Sequence, residues 1–153
     1  MEIPPIETPL IPSIFIDTNV LLDHLQMRAG MESAEKILEL GKKRAIRICI
    51  STVSVVNVAY IMRKMMPLET IKAIIRDWVN AYVILSNGLF NVYNAVRGKH
   101  PDFEDAIQLA CSESEQCVAI VTNNKKHFAP YTDTPVYTPE ELLAKLRGES
   151  PTP

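Results

Sequence analysis

The chain has 153 residues, enough for one domain with a substantial core and too few for two comfortable ones. Its 47% hydrophobic and 22% charged content is that of an ordinary globular protein. The net charge of −2 excludes a strongly basic nucleic-acid binder, but not a nuclease built on an acidic site.

Residues 1–12 carry Pro4, Pro5, Pro9 and Pro12 and read as an extended proline-rich arm without the basic start of a secretory signal. Residues 148–153 read as a flexible tail, leaving 13–147 as the expected folded domain. The longest apolar run, Val53 to Met62, is interrupted by Ser54 and Asn57 and is too short to span a membrane. The three cysteines, Cys49, Cys111 and Cys117, lack CxxC spacing and read as small core residues of a reducing compartment. A cytoplasmic protein without membrane contact is expected.

Ser13-Ile14-Phe15-Ile16 is a short apolar run that stops at Asp17, and it predicts a buried strand. Val20, Leu21, Leu22 and Leu25 follow at helical spacing, so Asp17 lies at a strand-to-helix turn. Ala34, Ile37, Leu38 and Leu40 mark a second helix, closed by Gly41. Arg47 to Ile50 reads as a strand. Ser51 or Thr52 can cap the apolar helix after it, and Pro67 opens another helix running to Trp78. Tyr82 to Leu85 is a third strand, with Ser86-Asn87 as the next cap. Asp102 starts the helix bearing Ala106, Ile107, Leu109 and Ala110. Val118 to Val121 is a fourth strand and Pro135 to Tyr137 a fifth. Thr138-Pro139-Glu140-Glu141 is a strong final helix start, with a Thr cap, a Pro in the first turn and a Glu able to reach back. Strands alternating with helices predict a three-layer α/β/α sandwich around a parallel sheet of four to five strands.

Open sheets of this kind place ligands at the carboxyl ends of their strands. That edge gathers Asp17, Asp102, Asp105, Asn123 and Asn57. Asp102 and Asp105, three apart, share a helix face, whereas Glu104 points in a different helical direction. Clustered carboxylates repel one another and invite a hard cation, and such a cation can activate water against a phosphodiester. Capping is the competing reading, because Asp102 and Asp17 both stand where helix N-caps are favoured. Asp23, further along the first helix, reads as a solvated charge. Asn57 is either a structural tether or a ligand to metal or water, and Ser51 and Ser54 read as a cap and a backbone-bonded hydroxyl. His24, His100 and His127 have no metal-ligand spacing. Lys125 and Lys126 follow the fourth strand, where a phosphate backbone would find positive partners.

Together these residues resemble the PIN-domain family of metal-dependent ribonucleases. The resemblance is carried by Phe15-Ile16-Asp17-Thr18-Asn19-Val20-Leu21-Leu22-Asp23, Ile50-Ser51-Thr52-Val53-Ser54, Asp102-Phe103-Glu104-Asp105-Ala106-Ile107-Gln108 and Val121-Thr122-Asn123-Asn124-Lys125-Lys126-His127-Phe128. The ending Thr138-Pro139-Glu140-Glu141-Leu142-Leu143 also resembles a bacterial PIN branch. The resemblance implies an endoribonuclease that binds Mg²⁺ or Mn²⁺ through Asp17, Asp105 and Asp102. Asn57, Thr122, Asn123 and Asn19 would orient water or substrate, and Lys125 and Lys126 would touch phosphate weakly. It further implies an RNA substrate, a homodimer, and in toxin-like members an antitoxin partner covering the site. This chain departs from the family pattern at Asn57, where many members have Glu, and at His127, where Asp is usual. Those two departures leave room for a non-catalytic PIN-like module that binds RNA or protein. A phosphotransfer domain of the haloacid-dehalogenase kind would need a second Asp where Asn19 stands.

Overall fold

A computed structural model describes residues 10–148. Within them, five strands form one parallel sheet: β1 (Ser13–Ile16), β2 (Arg47–Ser51), β3 (Val83–Leu85), β4 (Ala119–Val121) and β5 (Val136–Tyr137). Their order across the sheet is β3-β2-β1-β4-β5. Residue pairs Phe15↔Cys49 and Phe15↔Ile120 fix the central register. The helices are α1 (Thr18–Leu25), α2 (Met31–Lys42), α3 (Thr52–Met62), α4 (Leu68–Ala81), α5 (Leu89–Arg97), α6 (Phe103–Ser114) and α7 (Pro139–Leu146). None of the described helices is long and apolar enough to cross a membrane. The proline-rich arm and the tail fall mostly outside the described residues.

The strands bury both faces, and alternation sends their side chains to two cores. Ile14, Ile16, Ile48, Ile50 and Val121 face a large core shared with α1, α2, α3, α4 and α7. Phe15, Cys49 and Ile120 face a smaller one closed by Leu109 and Cys111 of α6 and by Phe128. Helix α5 packs on the outside of α6. The expected three-layer sandwich is therefore present. All three cysteines are buried and free, as small core residues would be.

Two local expectations need correcting. Gly41 does not close α2 but lies inside it, where an added Cβ would stand 2.5 Å from Ile48 Cδ1. The residue is needed for close approach of helix to strand. The cap of α5 is Gly88, not Ser86-Asn87: Asn91 reaches back to accept from the Gly88 N–H at 3.0 Å. Asn87 is occupied elsewhere, accepting from the Thr52 hydroxyl at 2.9 Å.

The sheet order places β1 beside β4, and the chain leaves these two strands toward different parts of the molecule. Their shared carboxyl edge is the switch point at which such sheets open a crevice. The Asp17 N–H donates to the Val121 carbonyl at 3.0 Å, tying the two strand ends together.

Candidate metal centre

Asp17 caps α1 and is held at the end of β1 by hydrogen bonds on both of its oxygens. Its Oδ1 accepts from the Thr18 N–H at 2.7 Å, and its Oδ2 accepts from the Thr122 hydroxyl at 2.8 Å. The side chain is thus held from β1's own helix and from the end of β4. Burial pushes its pKa up to about 7. The two hydrogen bonds oppose that rise, and the charges of Asp105 and Glu104 add to it. Asp17 therefore feels the α6 carboxylates as neighbours.

Those carboxylates stand at the start of α6. Asp102 is its N-cap, accepting from the Asp105 N–H at 2.9 Å, so capping and clustering coincide here. Asp102, Glu104 and Asp105 each offer an oxygen within 4.8 Å of the others. Glu104 leaves the helix in a different direction from Asp105, yet its longer side chain brings an oxygen within 4.8 Å of theirs. Burial and the charges of Asp105 and Asp102 raise Glu104, and burial followed by Asp102 raises Asp105. Asn57, on α3, donates from its amide to Glu104 Oε1 at 2.9 Å, so it faces this cluster.

Beneath the acids lies a buried polar hub. Gln108 donates to Thr18 Oγ1 at 3.0 Å and to Ser54 Oγ at 2.9 Å, and its carbonyl accepts from the Ser51 hydroxyl. Ser51 Oγ accepts in turn from the Ser54 N–H at 3.1 Å, the expected cap of α3. Ser54 is thus bonded to side chains of three elements rather than to backbone alone. One amide locks α1, α3 and α6 at fixed distances, which fixes Asp17, Asn57 and the acids of α6 relative to one another.

The residues after β4 divide. Thr122 is buried on Asp17. Asn123 donates to Asp23 Oδ2 and is drawn toward the carboxyl half of α1. Asp23 is consequently not a solvated charge: it is 8% exposed, with Arg28 at 3.6 Å, and burial raises its pKa. Lys125 is held by Glu141 at 2.8 Å, which offsets its charge for a phosphate, whereas Lys126 is exposed and forms no ion pair among the described residues. Asn19 Oδ1 is buried without a hydrogen-bond partner among the described residues. His127 is brought to the acids by the fold, its Nδ1–H donating to Asp105 Oδ2 at 3.0 Å.

The donor set fits a hard divalent cation. Opposite ligands of an octahedral ion at about 2.1 Å are about 4.2 Å apart. The three α6 carboxylates, mutually within 4.8 Å, can therefore share one ion with little movement.

A family model described as "PIN domain" matches residues 13–126. The chain belongs to the PIN-domain family. No curated protein matches it in sequence. Solved structures of the same fold include VapBC2 of Rickettsia felis bound to a promoter DNA fragment. It is 16% identical with a TM-score of 0.64, over 82% of this chain and 98% of that one. A toxin–antitoxin complex from Klebsiella pneumoniae is 24% identical with a TM-score of 0.62, over 82% of this chain and 97% of that one. The Mycobacterium tuberculosis toxin VapC20, described as cleaving the sarcin-ricin loop, is 12% identical with a TM-score of 0.61, over 78% and 97%. At these identities the likeness is one of fold.

Within this PIN domain, sequence reasoning overlooked Glu104 as a cluster member, Gln108 as the hub and Asp23 as a buried partner. Glu104 could have been found from its side-chain length, which reaches across a helical turn. Gln108 carried a signal too, being an amide one helical turn after Glu104 in a helix otherwise rich in apolar residues, where a buried polar group requires partners.

Proposed function

We propose that this PIN-domain protein is a metal-dependent endoribonuclease and the toxin of a toxin–antitoxin pair. The observation that carries the reading is the convergence of Asp102, Glu104 and Asp105 at the start of α6, with oxygens within 4.8 Å of one another, in a helix whose Gln108 is bonded to Thr18, the neighbour of Asp17. The toxins and toxin–antitoxin complexes among its fold relatives support the biological half of the proposal.

In this reading Asp102, Glu104 and Asp105 hold Mg²⁺ or Mn²⁺ together with Asp17. The bound ion supplies activation of water and neutralisation of charge on the leaving oxygen. The chain's own residues do the rest. Thr122 and the Thr18 N–H fix the Asp17 carboxylate in one orientation, so its free lone pairs point consistently. A cation at this carboxylate would favour its ionised form, against the burial that raises its pKa in the metal-free protein. The Asn57 amide holds Glu104 in place without adding a further negative charge. Asn19 and Asn123 are the remaining polar groups able to orient water, and Lys126 is the basic residue best free to meet the RNA backbone. The antitoxin would cover this edge. A homodimer fits the exposed apolar face of α5, formed by Leu89, Phe90, Tyr93 and Val96.

The test is cleavage of single-stranded and hairpin RNA by purified protein with Mn²⁺, Mg²⁺ or chelator, beside Asp17→Asn. Cleavage that needs the ion and disappears in the variant is expected. Cleavage equal in the variant and in chelator overturns the assignment.

A further inference from the structure

We infer that the outward face of α3 is a binding strip for single-stranded RNA, with a base stacked on the Tyr60–Arg63 pair and phosphates met by Arg63 and Lys64. The inference rests on the nuclease reading above and adds to it the path of the strand beside the acids.

The strip follows from helical geometry. At about 100° per residue, Val56, Tyr60 and Arg63 fall within about 60° of one another, with Asn57 and Lys64 at one margin. Ser54, Val58 and Met62 are buried on the opposite side. Asn57 donates to Glu104 Oε1 at 2.9 Å, so the strip begins at the acids of α6. Tyr60 lies one turn further on and Arg63 two, about 4.5 and 9 Å along the axis.

The pair at its centre is built for stacking. The Arg63 guanidinium carbon stands over the Tyr60 ring, 3.9 Å from the centroid. The tyrosine remains 60% exposed and Val56 beside it 65%, so neither seals the core. Arg on an aromatic ring forms a flat, charged surface. Unpaired bases stack on aromatic rings and on Arg planes whatever their identity. A duplex keeps its bases inside and offers Tyr60 no such face.

Charge selects the occupant. No Asp or Glu occurs from Thr52 to Met66, in a chain whose net charge is −2. Arg63 and Lys64 are exposed, and no ion pair holds either among the described residues. Phosphates approaching Asp102, Glu104 and Asp105 are repelled by them. Two cations at the far end of the strip supply the attraction that the acids cannot.

Full-length protein in chelator, so that the RNA stays whole, is titrated with fluorescein-labelled oligoadenylate and followed by anisotropy, with sedimentation of each variant alongside. Tyr60→Ala is expected to weaken binding about tenfold, and Tyr60→Phe, which keeps the ring, to leave it nearly unchanged. Arg63→Gln should also make the slope of log affinity against log salt shallower by about 0.7. That slope decides the matter should Tyr60→Ala fold poorly. Equal affinity in wild type and Tyr60→Ala, an unchanged slope in Arg63→Gln, or no binding by the wild type overturns this inference and leaves the nuclease reading to its cleavage assay. A loss of affinity that comes with a changed sedimenting mass assigns the face to protein contact and overturns it too. RNA bound through Tyr60 but left whole with Mn²⁺ overturns the nuclease reading alone.

Discussion

Asn57 on α3 and Glu104 on α6 are joined by a 2.9 Å hydrogen bond, in which the amide donates to a carboxylate already crowded by Asp102 and Asp105. An amide here relieves repulsion that an acid would worsen. Asn57→Asp should therefore lower the stability of the metal-free protein by about 1–2 kcal/mol at neutral pH, since it removes a donor and adds a like charge. Added Mn²⁺ should raise the melting temperature more in this variant than in the wild type, because the extra carboxylate repels less once the cation is bound. Thermal melts with and without Mn²⁺ decide the matter; a variant that melts like the wild type in both conditions would show that the contact is inconsequential.

Asp17 makes stability depend on pH in a defined direction. Its folded pKa of about 7 lies above the ordinary value of 3.8, mainly because of burial. Stability from this group is complete below about pH 4, declines as pH rises from there, and is fully lost once pH passes 7. At about 1.4 kcal/mol per pH unit the loss has an upper bound of about 4 kcal/mol. Asp17→Asn abolishes the effect while leaving an oxygen that can still accept. Denaturant unfolding of metal-free protein should show that Asp17→Asn gains more at pH 8 than at pH 5, by about 2 kcal/mol. A gain independent of pH would refute the raised pKa.

What the chain reveals unaided depends on how local each signal is. All five strands are short apolar runs, and the caps of α1, α3, α6 and α7 are polar side chains bonding within three residues, so both are visible in the sequence. Asp17, Asp102 and Asp105 were legible for the same reason: each ends or begins an element. Partnerships across the fold were not. Asp23 and Asn123 are 100 residues apart, and nothing local says that the first is buried under the second. Lys125 reads as a free cation until β5 and α7 bring Glu141 to it. His127 gives no sign of its partner Asp105, which is 22 residues earlier. Gly41 misled for a different reason: a glycine near a helix end suggests a cap, while here it makes room for Ile48.

Gln108 should prove the most sensitive polar position in the core. It is fully buried and bonds Thr18, Ser51 and Ser54 from three different elements. Gln108→Leu keeps the volume and leaves those hydroxyls to pair only among themselves. A loss of about 2–3 kcal/mol is expected. Because the same amide spaces α1 from α6 and reaches Glu104 Oε1 at 3.5 Å, Mn²⁺ affinity should drop as well. Unfolding and metal titration on one preparation separate the two effects; a stability loss with unchanged Mn²⁺ affinity would mean that the hub supports the core but not the site.

Gly41→Ala sets two magnitudes against each other. In an exposed helix interior, alanine gains about 1 kcal/mol over glycine. Here the new methyl would stand 2.5 Å from Ile48 Cδ1, 2.9 Å from its Cγ1 and 3.0 Å from Tyr82 Cε1. Ile48 is itself 1% exposed in the centre of the larger core, so it has no open space into which to turn. Overpacking of this kind costs about 1–3 kcal/mol. Two of the three contacts are to the branched side chain of a central strand, which places the cost in the upper half of that range and above the helical gain. The net effect should be a destabilisation of about 1–2 kcal/mol, read as a lower denaturation midpoint at unchanged slope. Gly41→Ala combined with Ile48→Val, which removes the nearest clashing atom, should recover part of the loss, so the double variant should exceed the sum of the singles. Strict additivity would place the cost of Gly41→Ala somewhere other than the contact between α2 and β2.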